Sequence, residues 1–256
     1  MRLQSDIQIR VKNPVIGGPD FLICIPLLAT ERSDLFSEAA IIKQSDPDLL
    51  EWRIDGYRHV RDIKNSLDTL ARLRIRFSGT PLIFTCRIHS EGGLKKLSDD
   101  QRQGLLTEAI ASGNLDIVDI ELNNDAAFIQ SIMQAAGKAS VRVILSYHNF
   151  EITPDETFIF DTLLKARDLG ADIAKIAVMP REYQDVLTLM NATLKARRQG
   201  LRIPAITMAM GPRGRLTRLA GGLFGSDITF ASATTPSAPG QLPIEILRQA
   251  MAAIYR

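Results

Sequence analysis

One lysine stands in the middle of an otherwise apolar segment. Lys175 belongs to ADIAKIAVMP, residues 171–180, whose composition is typical of a strand buried on both faces. A lysine is rarely fully buried unless another group pairs with it or a reaction uses its amine. The pattern leaves two interpretations open: Lys175 is a nucleophile, or it forms an internal ion pair with Asp119 or Glu121.

A histidine suited to work with such an amine ends another apolar run. His148 closes VRVILSYH, whereas His59 lies in the charged stretch GYRHVRD and His89 lies in a polar loop. Burial and nearby arginines would both lower the pKa of Lys175, and a neutral amine can form an imine with a ketone. An adjacent imidazole can carry the protons of that reaction. The pair therefore predicts Schiff-base chemistry with His148 as general acid and base, and a core histidine with its hydrogen bonds satisfied is the alternative.

Acidic and basic residues also occur in pairs with strand spacing. Glu51 and Arg53 lie two positions apart in LLEWRID, and Asp119 and Glu121 lie two positions apart in IVDIEL. Alternate residues of a strand point to the same face, so each pair is expected to share a face. For Glu51 and Arg53 the alternative is an exposed ion pair. Asp119 and Glu121 are expected either to support His148 from behind or to have a purely structural role.

Further polar residues lie at or just after the ends of apolar runs. Arg87 ends LIFTCRI, and Glu91 lies in the segment IHSEGG that follows it. Ser237 and Gln241 lie in TTPSAPGQ, after the last apolar run, where both can donate hydrogen bonds. These positions predict a polar site where the apolar runs end.

A cluster of arginines follows the seventh apolar run. The segment GPRGRLTRLAGG contains Arg213, Arg215 and Arg218, and it lacks the GK[ST] sequence of a phosphate-binding P-loop. A guanidinium group offers a two-pronged donor to a carboxylate or a phosphate, which makes the segment a candidate anion site. For Arg213 and Arg215 the alternative is a solvated surface position.

These residues are distributed over a chain in which strand-like runs alternate with helical patterns. Strands joined by helices predict βαβ units and a parallel sheet. The predicted strands are FLICIPLL from residue 21, LLEWRID from 49, LIFTCRI from 82, IVDIEL from 117, VRVILSYH from 141, ADIAKIAV from 171, IPAITMAM from 203 and ITFAS from 228. Helices are predicted from residue 61, over 99–111, 125–136, 154–169 and 182–198, and from 243 to 255, with glycine stops at Gly113, Gly137, Gly170 and Gly200.

Eight such strands in 256 residues predict an α/β protein with a closed (β/α)8 TIM barrel. A doubly wound open sheet is the competing fold, but no GxGxxG follows the first strand. In a barrel the reactive groups belong at the C-terminal ends of the strands, which is where the polar residues above lie. The chain is predicted to be a single barrel domain over residues 1–256, with an N-terminal β-hairpin, residues 1–20, covering the barrel bottom.

The composition indicates which binding partners and which cellular location to expect. Lys plus Arg number 31 and Asp plus Glu number 29, so charge gives no reason to expect a nucleic acid or a membrane surface as partner. The longest apolar run, FLICIPLLA, is far shorter than the ~20 residues of a spanning helix, and the N-terminus lacks a signal-peptide core. A cytoplasmic protein is therefore expected. Cys24 and Cys86 lie in apolar runs away from any metal-ligand spacing and are expected to be buried free thiols.

The chain resembles the type I 3-dehydroquinate dehydratase (3-dehydroquinase) family. The resemblance lies in the segments EWRID, TCRIHSEGG, SYHNF, DIAKIAVMP, ITMAMGPRGRLTRLAG and SAPGQ, which occur in family order. It implies a (β/α)8 barrel that forms a homodimer and converts 3-dehydroquinate to 3-dehydroshikimate without metal or added cofactor. This reaction is the third step of the shikimate pathway to aromatic amino acids. A class I aldolase, and a barrel that only binds a small acid, are the competing functions.

The resemblance also implies a role for each site residue. Lys175 would form the imine with the C3 ketone, His148 would move protons at C2 and C1, and Glu91 would orient His148. The substrate carboxylate would be held by Arg218, Ser237 and Gln241, the ring hydroxyls by Glu51, Arg53 and Arg87, and the walls would be Met208 and Phe230. The first strand reads ICIPL where some members carry a serine, and neither Cys24 nor Ile25 supplies that hydroxyl.

Overall fold

Parallel strands form the centre of the molecule. The structure is a computed structural model that describes residues 2–255. All eight strands predicted from the sequence are present in it. They are β3 (Leu22–Leu27), β4 (Leu49–Arg53), β5 (Leu82–Thr85), β6 (Ile117–Glu121), β7 (Arg142–Asn149), β8 (Ile173–Val178), β9 (Ala205–Ala209) and β10 (Ile228–Phe230), preceded by β1 (Ile9–Arg10) and β2 (Val15–Ile16).

Helices alternate with these strands and cover the outside of the sheet. They are α1 (Arg32–Gln44), α2 (Ile63–Arg76), α3 (Asp99–Ala111), α4 (Ala126–Ala139), α5 (Glu156–Asp168), α6 (Tyr183–Arg198), α7 (Arg215–Phe224) and α8 (Ile244–Tyr255). Side chains that accept a hydrogen bond from the first turn begin several of them, namely Asp62, Ser98, Asp125 and Asp155.

Two helices and one helix end differ from the prediction. The prediction omitted α1, although Leu35, Ala39 and Ile42 are buried at helical spacing. It also omitted α7, whose glycines obscure the helical pattern. A Cβ at Gly222 would lie 2.9 Å from the ring of Phe21, so glycine allows this helix to pack closely. Helix α4 continues through Gly137, where a stop was predicted.

The parallel sheet curves into a nearly closed barrel. Its strand order is β10-β3-β4-β5-β6-β7-β8-β9, so the first barrel strand pairs with the last. The remaining seam, between β9 and β10, is bridged by a 2.7 Å hydrogen bond from the Asp227 N–H to the Ala205 carbonyl. The predicted (β/α)8 barrel is confirmed, and the doubly wound sheet is excluded.

The inside of the barrel changes from apolar to polar along the strands. Near the start of the strands, the inward side chains form an aliphatic layer of Leu22, Leu49, Ile83, Ile117, Ile144, Ile173, Ile206 and Ile228. Alternate residues of a strand share a face, so the next inward positions lie two residues further on. On five neighbouring strands these positions are buried and polar: Glu51, Thr85, Asp119, Ser146 and Lys175. The aliphatic layer therefore supports a charged layer above it.

The N-terminal hairpin closes the apolar end of the barrel. Strand β1 pairs antiparallel with β2, as predicted, and Ile9, Val11 and Ile16 pack with the aliphatic layer inside the barrel. Arg2 adds a buried ion pair with Asp227. Within residues 2–255, no helix combines the length and the apolar character needed to cross a membrane.

Candidate active site

A pocket opens at the C-terminal ends of the barrel strands. Its cavity volume is about 90 Å³, and every residue to which the resemblance gave a role, except Arg218, lines it. Those residues are Glu51, Arg53, Arg87, Glu91, His148, Lys175, Met208, Phe230, Ser237 and Gln241. Residues from six different strands or the loops after them thus converge on one cavity. A wider groove between α4 and α5 lies away from all of them.

Lys175 lies deep in this pocket with its amine facing acidic groups. Its Nζ lies 2.7 Å from Oδ2 of Asp119, 3.5 Å from Oε1 of Glu51 and 4.8 Å from the ring centroid of Phe230. The side chain is only 5% exposed. The ion pair with Asp119 is therefore confirmed, and the same amine also lines the pocket. Its nearest charged neighbours are carboxylates, where arginines were expected.

Asp119 links Lys175 to a buried arginine. Arg87 binds Asp119 with both prongs of its guanidinium, at 3.1 and 3.0 Å, and donates to the hydroxyl of Ser146 at 2.7 Å. Burial alone would raise the pKa of Asp119, but the adjacent Arg87 and Lys175 outweigh burial and hold that pKa well below its usual range. Asp119 is therefore a permanent anion beside the amine.

Glu121 lies on the outer side of the same network. It accepts hydrogen bonds from Arg87 at 2.8 Å and from Arg102 of α3 at 2.5 Å. The backbone N–H of Ile88 also donates to it, at 3.2 Å. Asp119 and Glu121 have the structural role that was the alternative, because their oxygens bind Lys175, the two arginines and Ser146. Their bonds hold the charged layer together.

Glu91 is the carboxylate that His148 contacts. Its Oε2 lies 3.1 Å from His148 Nδ1 and accepts a 2.8 Å hydrogen bond from the His148 backbone N–H, while Asn123 donates to Oε1 at 2.6 Å. Burial raises the pKa of Glu91 to about 7. Burial, with Arg87 and Lys175 nearby, lowers the pKa of His148 well below 6.5. With Glu91 ionised, Nδ1 carries the ring proton and Nε2 keeps a lone pair for the pocket.

Glu51 and Arg53 share a face but do not pair with each other. Glu51 is 3% exposed and accepts a 2.9 Å hydrogen bond from the hydroxyl of Thr85, in addition to its contact with Lys175. Arg53 binds Asp55 through Nε at 2.9 Å and Nη2 at 3.0 Å. The alternative of an exposed ion pair is therefore wrong, because each residue has its own buried partner.

Arg218 is a buried cation whose hydrogen bonds go to neutral groups. It lies in α7, and its guanidinium donates to the carbonyls of Phe230 and Pro239, each at 3.2 Å. Within the described chain, no carboxylate lies within 4 Å of it, and its Nε is left without a hydrogen-bond partner. Burial lowers its pKa to about 10. Arg213 and Arg215 are exposed, as their alternative interpretation held.

The remaining predicted residues form the pocket rim and wall. Gln241 donates to the hydroxyl of Ser237 at 2.7 Å and accepts from its backbone N–H at 2.7 Å. The two residues therefore hold each other at the rim. Met208 and Phe230 are buried inward-facing residues of β9 and β10, and Arg218 contacts the thioether of Met208 and the carbonyl of Phe230.

Sequence reasoning missed several polar residues of the site. Thr85 and Ser146 stand two positions before Arg87 and His148, so strand periodicity alone could have found them. Asn123 likewise stands two positions after Glu121. Asp55 also stands two positions after Arg53, although it lies in the 3-10 turn Ile54–Gly56. Arg102 carries no such signal, because it reaches the site from α3.

The cysteines are buried and the carboxylates of the site are bound by protein donors. Cys24 and Cys86 are buried free thiols, as expected, and burial raises the pKa of both. Across residues 2–255, no three His, Cys, Asp or Glu side chains are grouped in a way that would hold a metal ion. Glu51, Asp119 and Glu91 are instead satisfied by side-chain and backbone donors.

Known proteins resemble this chain in sequence and in fold. The type I 3-dehydroquinase family profile matches residues 23–256. The chain belongs to the type I 3-dehydroquinase family. The 3-dehydroquinate dehydratase of Klebsiella pneumoniae (strain 342) is 41% identical over 243 residues, covering 95% of this chain and 97% of the relative.

Solved structures of the type I 3-dehydroquinases share the whole barrel. The crystal structure of 3-dehydroquinate dehydratase from Geobacillus kaustophilus superposes with a TM-score of 0.96 at 40% identity, covering 99% of this chain and 98% of that one. The type I enzyme of Clostridium difficile gives 0.94 at 36% identity, covering 97% and 98%. The protein is therefore a hydro-lyase of the shikimate pathway, and the class I aldolase and the non-catalytic barrel are excluded.

Proposed function

We propose that the protein dehydrates 3-dehydroquinate to 3-dehydroshikimate through an imine on Lys175, with His148 as general acid and base. The observation that carries the proposal is the buried amine of Lys175, placed one strand away from His148 in a shared pocket. Lys175 pairs with Ser146 of β7, so His148 lies two residues further toward the pocket mouth, ~7 Å along the strand. A six-membered ring bound between them can touch both groups.

The first step joins the amine to the substrate ketone. The Lys175 Nζ ammonium loses two protons over this step; its lone pair attacks C3, the C–N bond forms, and the ketone oxygen takes up two protons and leaves as water. The resulting iminium is cationic. Asp119 and the face of the Phe230 ring lie where they offset that charge. These two neighbours support a charged intermediate in a buried site.

The second step removes the elements of water from the ring. His148 Nε2 takes the C2 proton, and the C–H electron pair moves into the iminium to give an enamine. The enamine expels the C1 hydroxyl, which leaves as water with a proton from the same imidazole. A second water then hydrolyses the imine and releases 3-dehydroshikimate. Glu91 supports both proton transfers by keeping the proton on Nδ1 while Nε2 reacts.

Binding of the substrate is proposed to use the two ends of the pocket. Glu51, Arg53 and Arg87 line the side near Lys175 and are suited to the ring hydroxyls. Arg218 has only neutral acceptors, so a substrate carboxylate would supply its missing charge partner. This contact requires the rim segment with Ser237 and Gln241 to rearrange, because the Pro239 carbonyl occupies one prong of Arg218.

Family membership supports four further parts of the proposal. A covalent route has a precedent in the type I enzyme of Clostridium difficile, whose crystal structure contains covalently modified comenic acid. By the same resemblance we propose that the protein works in the cytoplasm as a homodimer and needs no cofactor. Size-exclusion chromatography with light scattering tests the dimer, which a monomeric mass at micromolar concentration would contradict.

Borohydride reduction tests the central proposal. Reducing the protein in the presence of 3-dehydroquinate should convert the imine into a stable amine, and peptide mass spectrometry should place one adduct on Lys175. The Lys175→Ala variant should show neither adduct nor turnover. Dehydroshikimate formation at the normal rate by Lys175→Ala would contradict the mechanism.

A panel of ketones in the same experiment tests the substrate class. Keto acids and sugar phosphates should leave Lys175 unmodified or modify it far more slowly than 3-dehydroquinate does. Efficient adduct formation with a sugar phosphate, without adduct from 3-dehydroquinate, would assign the amine to a different reaction.

A further inference from the structure

Asp55 is a fully buried carboxylate just beyond the end of β4. It lies in the 3-10 turn Ile54–Gly56, and its two oxygens bind the guanidinium of Arg53 at 2.9 and 3.0 Å. A two-pronged pair of this kind fixes both the position and the plane of the guanidinium. Arg53 lines the pocket, so Asp55 sets the orientation of a pocket residue from outside the pocket.

The same carboxylate binds both ends of a loop from the next βα unit. The backbone N–H of Arg87 donates to Oδ1 at 3.3 Å, and that of Leu94 donates to Oδ2 at 2.9 Å. Arg53 adds a 3.2 Å hydrogen bond to the carbonyl of Gly92. The loop 87–94 is therefore closed on Asp55, and Glu91 lies between its two anchors.

This loop has little freedom to adjust independently of its anchors. The Gly93 N–H binds the carbonyl of Ile88 at 2.9 Å, and a Cβ on Gly93 would lie 2.2 Å from the carbonyl oxygen of Arg87. Gly92 has a φ of 83°, in the left-handed region that favours glycine. A loop this tightly closed transmits a shift of its ends to Glu91 in its middle.

The four donors at Asp55 require an anion. Burial alone would raise the pKa of Asp55, but the Arg53 guanidinium outweighs burial and lowers that pKa. An ionised carboxylate only accepts hydrogen bonds, whereas an asparagine amide offers one oxygen and two donors of its own. Asparagine has nearly the same shape as aspartate, yet it would lose part of this set of bonds.

We propose that Asp55 is a positioning residue with two targets: it orients Arg53 for substrate binding, and it anchors loop 87–94 so that Glu91 holds His148. The inference rests on the proposed function and adds a residue to it. Loss of a contact that binds ground state and transition state equally raises KM, whereas misplacement of the general base lowers kcat. Asp55 should therefore affect both constants, and Arg53 mainly KM.

Three variants separate the two targets: Arg53→Met, Asp55→Asn, and the double variant that combines them. Arg53→Met should raise KM about tenfold with kcat within about threefold of wild type. The double variant should show a further fall in kcat of about 10²-fold, because ~1 Å of misplacement can cost that much. The double variant removes the buried cation and its anion together and leaves neither charge unpaired. It can therefore be used if Asp55→Asn alone fails to fold. Equal kcat values for Arg53→Met and the double variant would overturn the proposal.

Asp116 provides a matched control at the opposite end of the barrel. It also pairs with an arginine, Arg74, and accepts a hydrogen bond from a backbone N–H, that of Leu82 at the start of β5. Asp116→Asn should lower the melting temperature and leave kcat and KM unchanged. A comparable fall of kcat in Asp116→Asn would mean that any loosening of the barrel has this effect, and the positioning role would be wrong.

Adding Glu91→Gln to these variants tests whether Asp55 acts on kcat through Glu91. If Asp55 acts on kcat through Glu91, the double variant Arg53→Met/Asp55→Asn should lose little further kcat when Glu91 is already replaced. If the losses of kcat from the double variant and from Glu91→Gln are fully additive, Asp55 does not act through Glu91. Borohydride reduction of the wild-type protein with 3-dehydroquinate distinguishes failure of this inference from failure of the proposed function. If no Lys175 adduct forms, the proposed function is wrong. If the adduct forms but replacement of Asp55 leaves kcat unaffected, only the role of Asp55 is wrong.

Discussion

One oxygen of Glu91 holds both the ring and the backbone of His148. The distance from Oε2 to Nδ1 is 3.1 Å, and the hydrogen bond from the His148 backbone N–H to the same oxygen is 2.8 Å. The two contacts fix the imidazole relative to its own strand. Because burial raises the pKa of Glu91 to about 7, the charge of this anchor changes near neutral pH.

Activity should follow the ionisation of Glu91. As pH falls through about 7, Glu91 takes up a proton and the imidazole loses its anionic partner, so kcat should fall on the acid side with an apparent pKa near 7. Glu91→Gln has no such group and should show a kcat lower by about 10²-fold without that acid limb. Initial rates, followed by the ultraviolet absorbance of 3-dehydroshikimate across the pH range, check this. A Gln variant that keeps the limb would assign the titration to another residue.

Removal of the imidazole should separate imine formation from proton abstraction. In His148→Ala, Lys175 keeps its contacts with Asp119 and Glu51, so the amine should still react with 3-dehydroquinate. Proton removal at C2 should slow by about 10²–10⁴-fold, the usual contribution of a general base. Mass spectrometry after borohydride should find substrate, not product, bound to Lys175. Full turnover by this variant would remove His148 from the acid and base role.

The strands and the inward-facing residues could be predicted from sequence because both depend on local pattern. Apolar runs marked all eight barrel strands, and residues two positions apart, such as Glu51 and Arg53, do share the inner face. Strand periodicity predicts which face of the sheet a side chain lies on, so it predicts which residues line the pocket. It carries no information about which neighbour on that face becomes the partner.

Pairing inside the charged layer depends on the curvature of the whole barrel. The bond of Lys175 to Asp119 joins β8 to β6, and that of Arg102 to Glu121 joins a helix to a strand. Such contacts depend on barrel closure and helix packing, which no local window of sequence contains. This is why the sequence left the partner of Asp119 open between Lys175 and His148, and why Arg102 was missed altogether.

Replacement of Arg218 should weaken substrate binding without loss of stability. Burial lowers the pKa of Arg218 to about 10, which reflects a buried cation that only carbonyls and a thioether contact. Arg218→Met removes this uncompensated charge, so the melting temperature without substrate should stay equal or rise. KM should rise roughly 10²-fold because the substrate carboxylate loses its charge partner.

Arg197 is the matched control for Arg218. It is also buried but pairs with the carboxylate of Asp227. Arg197→Met leaves that anion buried with fewer partners, so its melting temperature should fall while KM stays unchanged. Thermal unfolding and steady-state kinetics on both variants check the pair. An unchanged KM in Arg218→Met would show that the carboxylate binds elsewhere.

Loss of the Asp119 charge should reduce both stability and catalysis. Asp119→Asn leaves Lys175 and Arg87 without their shared anion, and breaking a buried ion pair from one side costs about 3–5 kcal/mol of unfolding free energy. The iminium would also lose its nearest carboxylate, so kcat should fall by about 10²–10³-fold. Asp172→Asn is the control, since Asp172 pairs with Arg142 at the start of the strands, away from the pocket. Its kcat should be unchanged. Urea unfolding and initial rates measure both effects, and a stable Asp119→Asn with normal kcat would show that Lys175 works without the charge of Asp119.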